Sequence, residues 1–422
     1  MSLHPFTPLN LCIAGIGGFA RHHHAEAFEL EQQGEIRLLA TCDPRHARLG
    51  EVAQSFAFAR RGVAVLAGFE EMLARFAPPA HLVSIATPIH CHAAMHAAVA
   101  SRNIGCYLEK PPTLDPGELE AMIAVEAGHD FQTEVSFNYL AEPWRRELKQ
   151  RLLDGEWGEL LGLSLYGAWS RDAAYYRRSP WAGKLSLHGR LVLDSCFGNA
   201  VSHNVHNLLF FAGREGVLSW ARPREVRCEL YRAYAIEGAD TVFSEMITEE
   251  GLPLRVALSH ACEPGRDLLE IIRCERAEIR IRPYESVEIL HRGGQREIRE
   301  TDSAARLFRD QFVRYLAYLR GEEERPLTTL ADCRPLVTWN ALNHLAARAI
   351  HPIPAAACTV DADGSMRITG IEESLRAFLR TGAFPSGQGV GWSRRGDAAL
   401  AGEVSGLREC ILEMAEREKN AV

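Results

Sequence analysis

The chain has 422 residues, of which 47% are hydrophobic and 24% charged, with a formal net charge of −8. That composition describes a globular protein of two domains with a tail, and it argues against a nucleic-acid-coating or disordered chain. No apolar run approaches the ~20 residues of a membrane span. The N-terminus lacks the basic stretch and apolar core of a secretory signal. Eleven cysteines are scattered without a CxxC pair, which predicts free thiols in a reducing cytoplasm.

Strands and helices alternate at first. Apolar runs predict strands at 9–14, 37–42, 81–86, 104–108 and 131–135, with helices at 21–33, 44–56, 69–76, 91–102 and 116–127. Such alternation builds an α/β domain with a doubly wound parallel sheet, here residues 1–135. From 136 to 351 the pattern changes to α+β. Strands are expected at 160–169, 225–234, 241–248, 254–260, 268–274, 277–281 and 286–290, with short connections that suit a large, mainly antiparallel sheet. Helices are expected at 143–153, 199–212, 302–320 and 330–349, mainly on one side of that sheet, which leaves its other face open. Residues 352–422 read as a C-terminal extension with a short strand at 366–368, a loop at 382–391 and two short helices.

The first strand runs into Gly15-Ile16-Gly17-Gly18-Phe19-Ala20, and a helix follows. Strand, glycine turn and helix form the context of a dinucleotide-binding fingerprint. Gly15 permits the tight turn, Gly17 lets a pyrophosphate approach the backbone, and Ala20 lets helix and strand pack closely. Phosphates would then meet the free N–H groups of the helix start. Asp43 ends the second strand about 20 residues further on, where an acid grips the ribose 2′-OH. Its charge favours NAD, while Arg45 nearby leaves NADP as the alternative. Thr87-Pro88, followed by His90 and His92, and Glu109-Lys110-Pro111-Pro112 close two later strands on the same side of the sheet.

These stretches resemble the Gfo/Idh/MocA family, the relatives of glucose–fructose oxidoreductase and inositol dehydrogenase. The likeness rests on GIGGFARHH from Gly15, Cys42–Pro44, ATPIHCH from Ala86, YLEKPP from Tyr107, and NAVSHNVHNLLFFAG from Asn199. Tyr175-Tyr176, Trp181-Ala182-Gly183 and Leu193-Asp194-Ser195 resemble a bacterial branch of it. The resemblance implies a Rossmann domain holding NAD through Gly15, Gly17, Gly18, Phe19, Ala20, His23, Asp43, Arg45, Thr87, Pro88, His92, Glu109 and Lys110. It implies Lys110 and His203 as the catalytic pair. A histidine accepts the carbinol proton as hydride leaves. A lysine ammonium stabilises the developing alkoxide.

Two positions depart from the family pattern. Asn199 stands where an aspartate four residues before the histidine is usual, and His206 where one three residues after is usual. By helical spacing Asn199, His203 and His206 share one face. Asn199 orients His203 without charge, or Asp194 takes that role or bridges a loop. His206, Trp181 and Asp194 are candidate substrate contacts, with packing as the alternative for His206 and Trp181. His22 and His24 are expected to be solvated. No metal is expected, since the pairs His203/His206 and His92/His96 lack a third ligand. The expected activity is hydride transfer at a secondary alcohol of a sugar, polyol or sugar derivative. The alternatives are a redox-neutral reaction through transient sugar oxidation and a non-catalytic nucleotide sensor. A homodimer or homotetramer is implied, with neither nucleic acid nor membrane as partner. The open sheet face would be covered by another subunit or by the tail.

Overall fold

The computed structural model describes residues 8–420, with side chains as far as 417. The first seven residues, where no signal-like stretch was read, lie outside the described residues. Two compact units form. The first takes the chain to Thr113, then Gly117–Ala141 and Ala305–Cys333; the second takes Leu114–Pro116, Glu142–Ala304 and the chain from Arg334 on.

In the first unit, β1 (Leu9–Ala14), β2 (Ile36–Cys42), β3 (Ala64–Leu66), β4 (Leu82–Ile85), β5 (Gly105–Leu108) and β6 (Glu134–Val135) form one parallel sheet. Its order is β3-β2-β1-β4-β5-β6, so the strand order switches sides between the parallel neighbours β1 and β4. Ligands of such sheets sit at that switch point, beyond the carboxyl ends of the strands. β4 and β5 are buried at every residue, as strands covered on both faces must be. The expected helix at 44–56 is instead a 3₁₀ turn, His46–Arg48, followed by the helix Gly50–Ser55.

The helix Ala304–Leu319 differs from expectation in its allegiance. Placed by sequence order with the second domain, it buries Phe308, Phe312, Tyr315, Leu316 and Leu319 in the first unit, against Leu11, Ile13, Leu38 and Leu82. Its Tyr315 hydroxyl accepts from the Cys106 N–H at 2.8 Å and donates to the Gln132 carbonyl at 3.0 Å.

In the second unit, β7 (Leu160–Trp169) is followed by a small hairpin of β8 (Ser186–Leu187) and β9 (Arg190–Leu191). Then come β10 (Pro223–Arg232), β11 (Thr241–Thr248), β12 (Pro253–Ser259), β13 (Arg266–Cys274), β14 (Ala277–Arg282), β15 (Ser286–His291) and β16 (Arg296–Glu300). β17 (Ile350–Pro352) and β20 (Ala398–Leu400) join β10, while β18 (Cys358–Val360) and β19 (Met366–Ile368) pair with each other. The large sheet has ten strands in the order β16-β15-β14-β13-β7-β12-β11-β10-β17, with β20 also on β10. It is mostly antiparallel, with β7–β12 and β10–β17 parallel.

Period-two alternation gives the sheet two apolar faces. Helices Ser202–Ala212 and Arg334–Ala347 pack on one of them. On the other, the helix Ile371–Thr381 sets Ile371, Leu375 and Phe378 against Tyr166, Tyr231, Phe243 and Ala257. The face expected to be open is therefore covered over β7, β10, β11 and β12 by the chain's own extension. Among the described residues no helix is long and apolar enough to cross a membrane.

Candidate functional site

The glycine turn follows β1 in the first unit. Gly15 has φ +106°, and a Cβ there would stand 2.6 Å from the Ala86 carbonyl oxygen and 3.1 Å from Ala20 Cβ. The turn and the end of β4 are thus in backbone contact, which only glycine permits. At Gly17 a Cβ would meet only the end of Leu49, at 3.3 Å, and at Gly18 nothing within 4 Å. That open space lies over a helix start with no side-chain cap and no acidic residue in its first turn. The positive end of the Ala20–Gln32 helix is left for an anion. Phe19 is 53% exposed beside it.

Asp43 is buried at the end of β2. Its Oδ2 accepts from the Ile16 N–H at 3.3 Å and its Oδ1 from the Arg45 N–H at 2.8 Å, which fixes the carboxylate against the glycine turn. The Arg45 side chain is exposed, with Nε 3.8 Å from Asp43 Oδ1.

His23 and His92 serve from inside. His23 is fully buried, with Nδ1 2.7 Å from Ser84 Oγ and Nε2 3.0 Å from Glu109 Oε1. Glu109 Oε2 accepts from the Lys110 N–H at 3.3 Å, so His23 and Glu109 together anchor the backbone at Lys110. Buried His92 places Nε2 2.8 Å from the Thr87 carbonyl and Nδ1 3.0 Å from the Pro111 carbonyl. It ties the two strand-end loops together, and burial lowers its pKa. Thr87 donates to Met95 Sδ at 3.4 Å, and Pro88 is exposed. These bonds carry the Lys110 loop to the sheet edge that holds the glycine turn. Ser84 was missed by sequence reasoning, because a serine inside a buried strand gives no outward signal.

His24 corrects an expectation. It is buried rather than solvated, with Nε2 3.0 Å from the Gly15 carbonyl and its ring against Phe56 and Phe58. The helix turns its second and third histidines inward because the sheet lies there, and only His22 stays exposed.

In the second unit the motif around His203 is not one continuous α-helix. Cys196–Ala200 forms a π turn, opened by the Ser195 hydroxyl accepting from the Gly198 N–H at 2.9 Å. Val201 breaks the geometry before the helix Ser202–Ala212 begins. Asn199 therefore does not share an α-helical face with His203 and His206. Its Nδ2 donates to Asp194 Oδ1 at 2.8 Å. The buried Asp194 also accepts from the Gly183 N–H at 2.6 Å, with Arg178 Nη2 3.9 Å away. It thus acts as a bridge joining the 183–184 loop to the π turn. The Arg178 guanidinium lies over Tyr175 at 3.7 Å and Trp181 at 4.8 Å. His203 is partly exposed in the first turn of its helix. His206 is buried, with its ring 5.2 Å from that of Trp220 between centroids.

Sequence reasoning missed what holds this helix. Asn204 and Asn207 donate to the two oxygens of buried Glu270 on β13, Asn204 at 2.6 Å. Buried Lys149 caps the helix end by donating to the Phe210 and Gly213 carbonyls. The signal available was two asparagines, Asn204 and Asn207, one turn apart in a largely buried helix. Among the described residues no three side chains of His, Cys, Asp and Glu gather as a metal site.

A doubly wound sheet in the order 3-2-1-4-5-6, an open glycine turn and a strand-end acid define an NAD-binding Rossmann domain. Residues 9–137 match the Gfo/Idh/MocA family model, described as "Oxidoreductase family, NAD-binding Rossmann fold", so the family resemblance is borne out over the N-terminal domain. No curated protein matches the chain. Among solved structures, an oxidoreductase from Agrobacterium radiobacter in complex with NAD+, L-tartaric acid and magnesium is similar at TM-score 0.65 and 18% identity, over 81% of this chain and 96% of that one. The WlbA dehydrogenase from Bordetella pertussis, in complex with NADH and UDP-GlcNAcA, is similar at TM-score 0.64 and 19% identity, over 81% and 97%. Levoglucosan dehydrogenase in complex with NADH is similar at TM-score 0.64 and 16% identity, over 79% and 95%. At these identities the likeness is one of fold.

Proposed function

We propose that the protein transfers hydride between NAD and a secondary alcohol of a sugar, polyol or sugar derivative. The supporting observation is the construction of the Lys110 loop. His23, Glu109 and His92 fix it on the same sheet edge as the glycine turn, with Lys110 at the end of β5. A buried apparatus of that kind positions a side chain for chemistry at the nucleotide. The names of the similar structures, sugar dehydrogenases among them, point to a carbohydrate-like substrate.

The chain's own residues divide the work. Gly17, Gly18 and the uncapped start of the Ala20–Gln32 helix hold the pyrophosphate, and Asp43 the adenosine ribose. When bound, NAD takes up or returns the hydride. Lys110 places positive charge for the oxygen that develops as hydride departs. His203 accepts the hydroxyl proton. Asp194 and Asn199 act as positioning residues, setting the π turn that precedes the His203 helix.

A panel of sugars, polyols and their acids, followed at 340 nm with the parent and His203→Ala, tests the reading. General-base loss is expected to lower turnover by about 10²- to 10⁴-fold while NADH affinity stays within about twofold. Full activity in His203→Ala, or the absence of net cofactor reduction with every member of a panel that the protein binds, overturns it.

A further inference from the structure

β16 ends the ten-stranded sheet, and among the described residues no strand takes up its outer side. Its sequence is Arg296-Glu297-Ile298-Arg299-Glu300. Charged edges usually keep a sheet from extending. This one has a different property, because it is complementary to itself when reversed. Laid antiparallel about Ile298, Arg296 faces a second copy's Glu300, Glu297 faces its Arg299, and Ile298 faces Ile298.

The backbone selects the same register. His291 N–H donates to the Gln295 carbonyl at 2.9 Å, and Thr301 N–H to the Glu285 carbonyl at 3.3 Å. In an antiparallel ladder the bonding direction alternates from residue to residue. Residues 295, 297, 299 and 301 therefore bond β15, while Arg296, Ile298 and Glu300 turn their N–H and C=O groups to the open edge. Centred on Ile298, these outward groups stand directly opposite one another, and each facing pair exchanges both bonds. Centring on Glu297 or Arg299 instead would oppose like charges at the axis, which destabilises a sheet.

The side chains are available. Ile298 is 59% exposed, among the most exposed large apolar residues described. Arg296 pairs with Glu288 yet stays 58% exposed, and Arg299, 3.4 Å from Glu147, stays 59% exposed. The broad face of the sheet over β7, β10, β11 and β12 is already occupied by the Ile371–Thr381 helix. We infer that two copies of this chain associate through β16, edge to edge about a twofold axis at Ile298, continuing the sheet from one copy into the other. The interface is isologous, so one charge pattern serves both partners. Opposite-charge and apolar cross-strand pairs, added to the backbone ladder, stabilise such a junction and suit a reversible dimer.

Sedimentation equilibrium of the whole chain tests this. The parent is expected to show a dimer of the 46.9 kDa chain at micromolar to ~100 µM concentration. Arg296→Glu sets two carboxylates opposite one another across the axis, and Glu300→Arg opposes two guanidinium groups. Each variant alone is expected to weaken association at least about tenfold. An equimolar mixture of the two restores opposite charges at both positions and is expected to dimerise as the parent does. Ile298→Pro removes the N–H at the axis, at an edge position where proline is tolerated, and is expected to abolish the dimer with the fold intact by circular dichroism. A parent that stays monomeric to ~100 µM overturns the inference. So does a dimer indifferent to Arg296→Glu and Ile298→Pro, or a mixture that associates no better than its components.

Discussion

Two glycines of the turn after β1 are expected to fail in different ways when replaced. At Gly17 an added Cβ meets only the Leu49 methyls, at 3.3 and 3.6 Å, and these belong to a side chain that can shift. Gly17→Val therefore is expected to cost the fold about 1 kcal/mol. The valine methyls instead occupy the approach to the backbone that a pyrophosphate needs. Each charge-assisted bond from a backbone N–H is worth about 1.5–3 kcal/mol, so losing one lowers NADH affinity about ten- to a hundredfold. At Gly15 the added Cβ meets backbone, 2.6 Å from the Ala86 carbonyl oxygen, at φ +106°. Neither neighbour yields readily. Left-handed strain of about 1–2 kcal/mol adds to overpacking of about 1–3 kcal/mol. Gly15→Ala is expected to lower the melting temperature by on the order of ten degrees. Urea unfolding measures the first quantity and NADH fluorescence titration the second. Gly17→Val with parental affinity refutes the reasoning. So does Gly17→Val as destabilised as Gly15→Ala, because the division between a ligand-facing and a packing glycine would then be false.

Asp43→Ser keeps a short hydrogen-bonding side chain but removes the charge, and is expected to narrow the preference for NAD over NADP by at least about tenfold. A parent that prefers NADP in parallel titrations contradicts this and shifts the role to Arg45. Acid is expected to loosen the first unit through His24. Its Nε2 faces the Gly15 carbonyl and so carries the proton, while Nδ1 is buried with no hydrogen-bond partner among the described residues. Burial holds its pKa down at about 4, against an ordinary 6.5. The unfolded chain therefore takes up a proton that the folded chain refuses, and stability falls from pH 6.5 to 4 by up to about 3 kcal/mol. The urea midpoint followed over that range is expected to have a shallower slope in His24→Gln; identical slopes argue against the assignment.

The residues explain why some elements were legible in the sequence. Long apolar runs with period-two character, such as Leu160–Trp169 and Thr241–Thr248, coincide with the observed strands end to end. β3 was invisible because three residues carry no period. β16 was invisible because Arg296–Glu300 alternates charges rather than apolar and polar residues. The glycine turn was readable since its chemistry is local. The roles of His23, His24 and His92 were not, because burial of a histidine depends on which neighbour arrives, and Glu109, Gly15 and Pro111 arrive from other elements. Asn199 misled for a related reason. Spacing of four implies one face only if the helix is continuous, and Val201 interrupts it.

The return of residues 305–333 to the first unit bears on how the protein is made. A ribosome releases the six strands of that unit early, yet Phe308, Phe312, Tyr315 and Leu316, which close its core, emerge only after Glu142–Ala304 has been synthesised. At bacterial to eukaryotic elongation speeds the gap is on the order of ten seconds or more. During that interval an apolar surface on the nucleotide-binding half stands uncovered, while most of the second unit's sheet is already outside the tunnel. The usual order, in which an N-terminal domain finishes first, is interrupted here. Nascent chains halted near residue 141 are expected to be protease-sensitive and to engage chaperones, whereas chains released beyond residue 333 carry the segment that completes the nucleotide-binding half.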